Sequence, residues 1–202
     1  MFPSPIQNLI NQLSKLPDIG PRAATRLAFY LINQEQNELD DLSSLIKELK
    51  SKIHLCSQCF NIAISDNKLC SICQDQKRDK KIICVVENIV NIPPLEKTQR
   101  FNGLYHILGG LISPTNNMGP ENLRIKELIN RIKNSEQNES PIKEIIFAFS
   151  PTTEGDTSIL YIERLLQPLN IKTSRLARGL SFGSDLEYID ENTLANALLE
   201  RK

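Results

Sequence analysis

The chain has 202 residues, enough for one domain or for two to three small ones; 40% are hydrophobic and 24% charged, as in an ordinary globular protein. The formal net charge is zero, so whole-molecule charge neither predicts nor excludes nucleic acid, and any such contact must come from local patches. The N-terminus MFPSPIQNLI has no basic region followed by an unbroken apolar core, and no apolar run approaches the ~20 residues of a membrane span; both predict a cytoplasmic chain that does not touch membranes.

The first segment reads as helical. Ser4 followed by Pro5 has the pattern of an N-cap with proline at the first helical position, and Ile6, Leu9, Ile10, Leu13 and Leu16 recur at helical spacing. The stretch Leu16-Pro17-Asp18-Ile19-Gly20 breaks that helix. Pro21 can open a second, with Ala24, Leu27, Ala28, Leu31 and Ile32 on its apolar face. Two short helices around a tight glycine-containing turn make a helix-hairpin-helix candidate. Gly20 would let backbone N–H groups approach a phosphate at the positive end of the second helix. Arg22 and Arg26, four residues apart, share one face and could hold neighbouring phosphates. The bland alternative is an ordinary helical hairpin with two solvated arginines. A third amphipathic segment follows, with Leu42, Leu45, Ile46, Leu49 and Ile53, and is expected to pack on the first two.

Next come two cysteine pairs, Cys56-x-x-Cys59 and Cys70-x-x-Cys73, separated by ten residues. Each pair can place two thiolates on one turn of backbone, and two such turns give the tetrahedral sulfur shell that Zn²⁺ prefers. Four sulfur ligands fill that shell and leave no position for a catalytic water, so a structural zinc knuckle is expected. The alternatives are two disulfides or four unrelated cysteines; nothing in the sequence indicates an oxidising compartment.

Beyond the cysteines, Lys77–Lys81 is a charged bridge, read as a solvated linker or a phosphate-attracting patch. Ile82–Val86 has the unbroken apolar texture of a strand buried in a parallel sheet and ends at Glu87; Cys84 within it reads as a small core residue. Strands are also expected at Leu104–Leu108, Glu144–Phe149 and Ile171–Leu176. Helices are expected near Glu121–Lys133, Thr157–Leu166 and Thr193–Arg201, with a surface loop at Asn134–Pro141. This alternation predicts a mostly parallel α/β sheet. Ligands of such sheets gather at the carboxyl ends of strands. Glu87 follows one such end, and Glu154 and Asp156 lie in a loop after another. Three converging carboxylates could hold Mg²⁺; the alternative is ordinary acidic residues favouring a helix start.

Taken together, LPDIGPRAATRLAFYL, the four-cysteine knuckle, ICVVE, YHILGGLISP, PTTEGDTS and TSRLARGLSFGSDLEYIDENTLANAL resemble the RecR family of bacterial recombination mediators nearly end to end. The resemblance implies a multi-domain α/β chain: a helix-hairpin-helix and following helix at 1–54, a C4-type zinc finger at 55–79, a Toprim domain at 80–176 and a C-terminal helical segment at 177–202. It implies a DNA-binding mediator of recombinational repair that acts with RecO, and in many bacteria RecF, to help load RecA on single-stranded DNA at gaps. It also implies a homo-oligomer, either a dimer or a ring-like tetramer, with zinc as its structural metal and no catalysis. Gly20, Arg22 and Arg26 match the family's DNA-binding hairpin, and Glu87, Glu154 and Asp156 fall at the Toprim acidic positions, for Mg²⁺ or for RecO docking. Two departures stand out. The usual hairpin reads Leu-Pro-Gly-Ile-Gly where this chain has Asp18, and catalytic Toprim enzymes pair their glutamate with Asp-x-Asp where this chain has Glu154-x-Asp156. The alternative to a mediator is a Mg²⁺-dependent, nuclease-like Toprim enzyme with Glu87 as acid/base.

Overall fold

The structure is a computed structural model that describes residues 2–64, 67–137, 140–177, 179–180, 183 and 185–199, without the side chain of Asn192. The chain forms two compact units, Met1–Lys52 and Ile53–Lys202.

The first unit is three helices, α1 (Ser4–Leu13), α2 (Pro21–Ile32) and α3 (Gln36–Lys52). Pro3, not Ser4, occupies the N-cap position of α1, and Ser4 and Pro5 lie in its first turn. Its buried centre is small: Ile10 of α1 sits against Ala24 and Ala28 of α2, and the two alanines let the helices approach closely. The sequence marks α3 as a helix that packs on its predecessors. Yet none of its residues is buried, and Leu45 and Ile46 remain 68% and 67% exposed.

The second unit opens with a two-stranded antiparallel hairpin, β1 (Ile53–Leu55) and β2 (Ile62–Ile64), followed by a short helix α4 (Ser71–Gln74). A four-stranded sheet follows: β3 (Asp79–Val86), β4 (Gly103–Ile107), β5 (Glu144–Ala148) and β6 (Lys172–Arg175), in the order β4-β3-β5-β6. Every neighbouring pair is parallel, as the alternation of elements implies. Alternate residues divide between the two faces. Ile83, Val85, Ile145 and Phe147 meet α6 (Ile125–Glu136) and α7 (Thr153–Leu166) through Leu128, Ile132, Ile159 and Ile162. Cys84, Val86, Tyr105 and Ile107 meet α5 (Ile92–Lys97) through Ile92 on the opposite face. Burial on both faces is why the strands read as unbroken apolar runs. It also pushes the Cys84 thiol up to about 12, which leaves it a core residue rather than a nucleophile.

Three sequence expectations change. The charged bridge is solvated only in part: Lys77, Asp79, Lys80 and Lys81 are exposed, but Asp79–Lys81 already belong to β3 and Arg78 turns inward. The Arg78 side chain is only 13% exposed and pairs with Glu96 of α5, which in turn accepts from the Tyr105 hydroxyl at 2.6 Å. The guanidinium beside Glu96 holds that carboxyl below its usual range. Around Glu121 the chain makes a 3-10 turn at Pro120–Asn122, and α6 starts only at Ile125. Finally, α7 begins four residues before the expected Thr157, because Thr152 caps it: the Thr152 hydroxyl accepts from the Gly155 N–H at 3.1 Å. Near the C-terminus, α8 spans Glu191–Leu199; the end of the expected helix at 200–202 lies outside the described residues.

His106 of β4 is fully buried, and its Nε2 donates to the carbonyl of Arg124 at 2.8 Å. Burial lowers its pKa to about 4. In the unfolded chain the ring takes a proton near pH 6.5, so between the two values the unfolded state binds a proton that the folded state refuses. Stability present above pH 6.5 is therefore lost as pH falls toward 4, by about 1.4 kcal/mol per unit from this group. His106→Gln keeps a donor for the Arg124 carbonyl but cannot titrate. Urea unfolding of this variant is expected to lose less stability than the parent chain over that range, whatever its stability at pH 8.

Candidate functional site

The four paired cysteines come together. Cys56 and Cys59 sit in the turn between β1 and β2, where Cys56 N–H donates to Asn61 O at 2.7 Å and Phe60 N–H to Cys56 O at 3.0 Å. Cys70 is the N-cap of α4 and Cys73 lies inside it. The Ser57 N–H donates to Lys68 O at 3.0 Å and ties the two turns to each other. All four thiols are buried and lie within 4.8 Å of one another, the one such metal-holding group among the described residues. The Sγ atoms of Cys59 and Cys70 are 3.4 Å apart, in hydrogen-bonding contact rather than a disulfide. A tetrahedral zinc with ~2.3 Å bonds needs sulfurs about 3.8 Å apart, so the shell fits that ion. The hydrogen bond that Cys59 and Cys70 share pushes the Cys59 thiol up and holds Cys70 down, the direction expected when two sulfurs share one proton. A central cation would take over the role of that shared proton.

The knuckle is fastened to the sheet. Cys59 O accepts from the N–H of Ile107 on the edge strand β4 at 3.0 Å. Ile72, between the second pair of ligands, packs against both sheet cores and the cysteine cluster. Phe60, directly after the first pair, holds φ of 64°, a left-handed conformation that costs a non-glycine residue energy. Its ring has compensating contacts: a T-shaped contact with the His106 ring, centroids 5.5 Å apart, and the Arg124 guanidinium 4.8 Å from its centroid.

In the helical hairpin, Gly20 is the N-cap of α2, with φ −76° and ψ 171°. A Cβ built there would meet nothing within 4 Å, so the space beside the helix start is open. Arg22 and Arg26 are exposed on the adjoining turns, and neither makes an ion pair among the described residues. Asp18, where the family's usual pattern has glycine, has φ of 63°. That left-handed region favours glycine and tolerates Asp better than most residues, which explains both the usual glycine and this substitute.

The three acidic residues divide. Glu87 follows β3, and its orientation is fixed twice. Its backbone carbonyl accepts from Gly109 N–H at 2.9 Å, and its carboxylate Oε1 accepts from the Ser150 N–H beyond β5. Gly109 and Gly110, at φ 91° and 150°, make the turn that brings that N–H to Glu87. Glu154 and Asp156 stand in the first turn of α7, where acidic groups suit the helix dipole, and not in a loop. Helical residues two apart point to different sides. Glu154 accordingly lines one cavity of about 280 Å³ with Glu87, whereas Asp156 lines another and pairs with Arg175 at 3.5 Å. Among the described residues the three do not form a group with metal-ligand separations. Gly155 keeps α7 close to the strand end, since a Cβ there would strike the Ser150 carbonyl. Sequence reasoning did not find the Arg78–Glu96–Tyr105 network or the Arg175–Asp156 pair, because each joins residues far apart in the chain.

The modules match known families in this order. Residues 6–50 match the model of the RecR helix-hairpin-helix, 53–75 the RecR four-cysteine zinc finger domain, 81–177 the Toprim domain and 179–202 the RecR C-terminal segment. Recombination protein RecR of Chloroherpeton thalassium is 43% identical over 193 residues, covering 96% of this chain and 94% of its own. Those of Myxococcus xanthus and Staphylococcus aureus are each 42% identical, over 100% and 99% of this chain and 99% and 98% of theirs. The chain belongs to the RecR family. With the four modules in register, the buried thiols fall in its zinc-finger segment, and Glu87, Glu154 and Asp156 fall in its Toprim segment. No helix among the described residues is long and apolar enough to cross a membrane.

Because Cys59 O and Ile72 couple the knuckle to β4, losing the metal should be felt in the sheet. Cys59→Ser or Cys73→Ser is expected to lower bound zinc and to destabilise both knuckle and sheet edge. Elemental analysis, with hydrogen exchange at the β4 amides, checks this; a metal-poor variant with unchanged exchange at Ile107 would contradict it.

Proposed function

We propose that the chain is a non-catalytic, DNA-binding recombination mediator that acts with RecO, and with RecF where present, to promote RecA loading on single-stranded DNA at gaps. The observation that carries this reading is the end-to-end match to proteins named Recombination protein RecR, all four modules in the same order. One structural zinc per chain holds the knuckle, and the open helix start at Gly20 with Arg22 and Arg26 is its phosphate-binding surface. The domains are taken as 1–54, 55–79, 80–176 and 177–202, and the molecule as a cytoplasmic homo-oligomer, a dimer or ring tetramer. In support, α1, α2 and α3 leave an apolar hollow of about 660 Å³ lined by Leu9, Leu13, Leu31, Leu42 and Ile46, which a second copy would cover. Binding multiplied over several subunits needs only modest phosphate contacts in each.

The acidic pair Glu87 and Glu154 supports a second role. Two carboxylates sharing a cavity repel each other unless a cation or basic partner offsets them. We read Glu87 and Glu154 as a docking face for a basic surface of RecO, in which charge favours encounter; Asp156, expected to join them, lines a separate cavity and pairs with Arg175. One observation favours the enzyme reading instead: Mg²⁺ is often held by only one or two carboxylates, and Glu87 and Glu154 are such a pair. A Mg²⁺-dependent Toprim nuclease would use them.

Arg22→Ala or Arg26→Ala is expected to weaken binding of DNA, whether single-stranded, gapped or double-stranded, by similar factors across sequences. Each should lower the slope of log affinity against log salt by about 1. Folding should be little changed, since both side chains are exposed. An unaltered slope in the double variant would return these arginines to solvent or to a subunit contact.

Glu87→Gln and Glu154→Gln are expected to leave zinc content and fold intact and to weaken RecO binding most at low salt. Labelled gapped DNA should stay intact with Mg²⁺ or Mn²⁺ for every variant. RecO binding equal to that of the parent chain would sink the docking role; scission lost in Glu87→Gln would establish the enzyme.

A further inference from the structure

A further cavity in the second unit, a hollow of about 810 Å³, lies not beside Glu87 but between the cysteine knuckle, the start of β3 and α6. Its walls are unusual in chemistry. Gln58 comes from the first cysteine turn, Gln74 and Gln76 from α4 and the residues after it, and Asn130 and Asn134 from successive turns of α6. Of these five carboxamides, Gln74 donates its Nε2–H to Leu69 O at 2.6 Å and Gln76 Oε1 accepts from Lys80, while Gln58 and Asn130 offer the donor-and-acceptor pattern with which Gln and Asn bind nucleobase edges in bidentate fashion.

The charge is placed to suit phosphate. Lys80 lines the hollow and is exposed, its ammonium resting 3.2 Å from Gln76 Oε1. Arg131 lines it as well, with Nη1 donating to Tyr105 O at 2.7 Å and Gln58 O at 3.3 Å. Among the described residues that guanidinium is fixed by backbone carbonyls rather than by a carboxylate, and its Nη2 is buried without a hydrogen-bond partner. Among the described residues, Glu127 is the one carboxylate of the lining and makes no ion pair with either cation. Phe60 also lines the wall, but its ring is engaged by His106 and Arg124, so it adds apolar surface rather than a stacking platform. A basic groove with amide walls suits the backbone and unpaired base edges of a single strand, and a hollow of this size admits unstacked nucleotides but not a paired duplex.

We propose that this hollow binds one or two nucleotides of single-stranded DNA, with the carboxamides of Gln58 and Asn130 on base edges and Lys80 and Arg131 on phosphate. It is a second contact, separate from the hairpin arginines, and it rests on the reading of the chain as a DNA-binding protein. It makes that reading more specific: the hairpin holds DNA of any form, and the hollow selects unpaired strand.

The probe is a single-stranded oligonucleotide carrying 4-thiothymidine, photo-crosslinked to the full-length, zinc-loaded protein and mapped by mass spectrometry. Crosslinks are expected in peptides covering residues 57–60 or 130–135, and a large excess of the same oligonucleotide should suppress them better than a large excess of free dATP. Lys80→Gln combined with Asn130→Ala changes two side chains outside the buried core, so fold and zinc content should persist. This double variant is expected to bind single strands about tenfold more weakly, with a salt slope lower by about 1, and duplex nearly unchanged. Crosslinks confined to the hairpin, or a double variant with parent affinity for single strands, would overturn the hollow while leaving the hairpin reading standing. Suppression by free dATP as strong as by oligonucleotide would assign the hollow to a free nucleotide and overturn the strand proposal. Failure of the parent protein to bind any DNA would remove both readings together.

Discussion

The second unit depends on how its exposed sheet edge is covered. With the order β4-β3-β5-β6, β4 is an edge strand and would present a row of unpaired backbone groups. The cysteine knuckle lies on that edge, taking Ile107 N–H with Cys59 O, while the Arg131 guanidinium spans Tyr105 O and Gln58 O. The metal-binding turn, the sheet edge and α6 are thereby one joint. Such small knuckles have little core of their own, so their order comes from the cation and from what they dock on.

The same joint creates the geometry around it. Docking the knuckle over β4 leaves Phe60 between His106 and Arg124, and its left-handed backbone is tolerated because the ring is held on both sides. It also leaves the amide-lined hollow between the knuckle and α6. Elsewhere on the sheet, β3 and β5 end side by side, and the Ser150 N–H orients Glu87. The knuckle therefore lies across the edge strand, and the acidic residues lie at the carboxyl ends of the two central strands.

Charge in this chain is distributed by pairing. Arg78, Glu96 and Tyr105 bind one another in a half-buried network, and Arg175 is shared by Asp156 and Glu163. Cations that no carboxylate claims among the described residues include Arg22 and Arg26 at the hairpin and Lys80 and Arg131 at the hollow. This division matters more to DNA contact than the zero net charge, because association is set by local potential within roughly a Debye length.

The sequence by itself determined the modules. Two Cys-x-x-Cys pairs define a metal shell by spacing alone, and the apolar run Ile82–Val86 declares a strand buried on both faces. The glycine and proline around Asp18 likewise mark the hairpin turn. Such features are legible because their physics is local, set by a few adjacent residues. What only the tertiary structure decided is which distant groups meet. That Thr152 caps α7 moves Glu154 and Asp156 from a loop into a helical turn, and the step of about 100° per residue then sends them to different sides. That Arg78 finds Glu96 and Cys59 O finds Ile107 N–H follows from the crossover of β3 to β4, which no spacing along the chain encodes. Local propensity names the elements, while long-range pairing sets the sites.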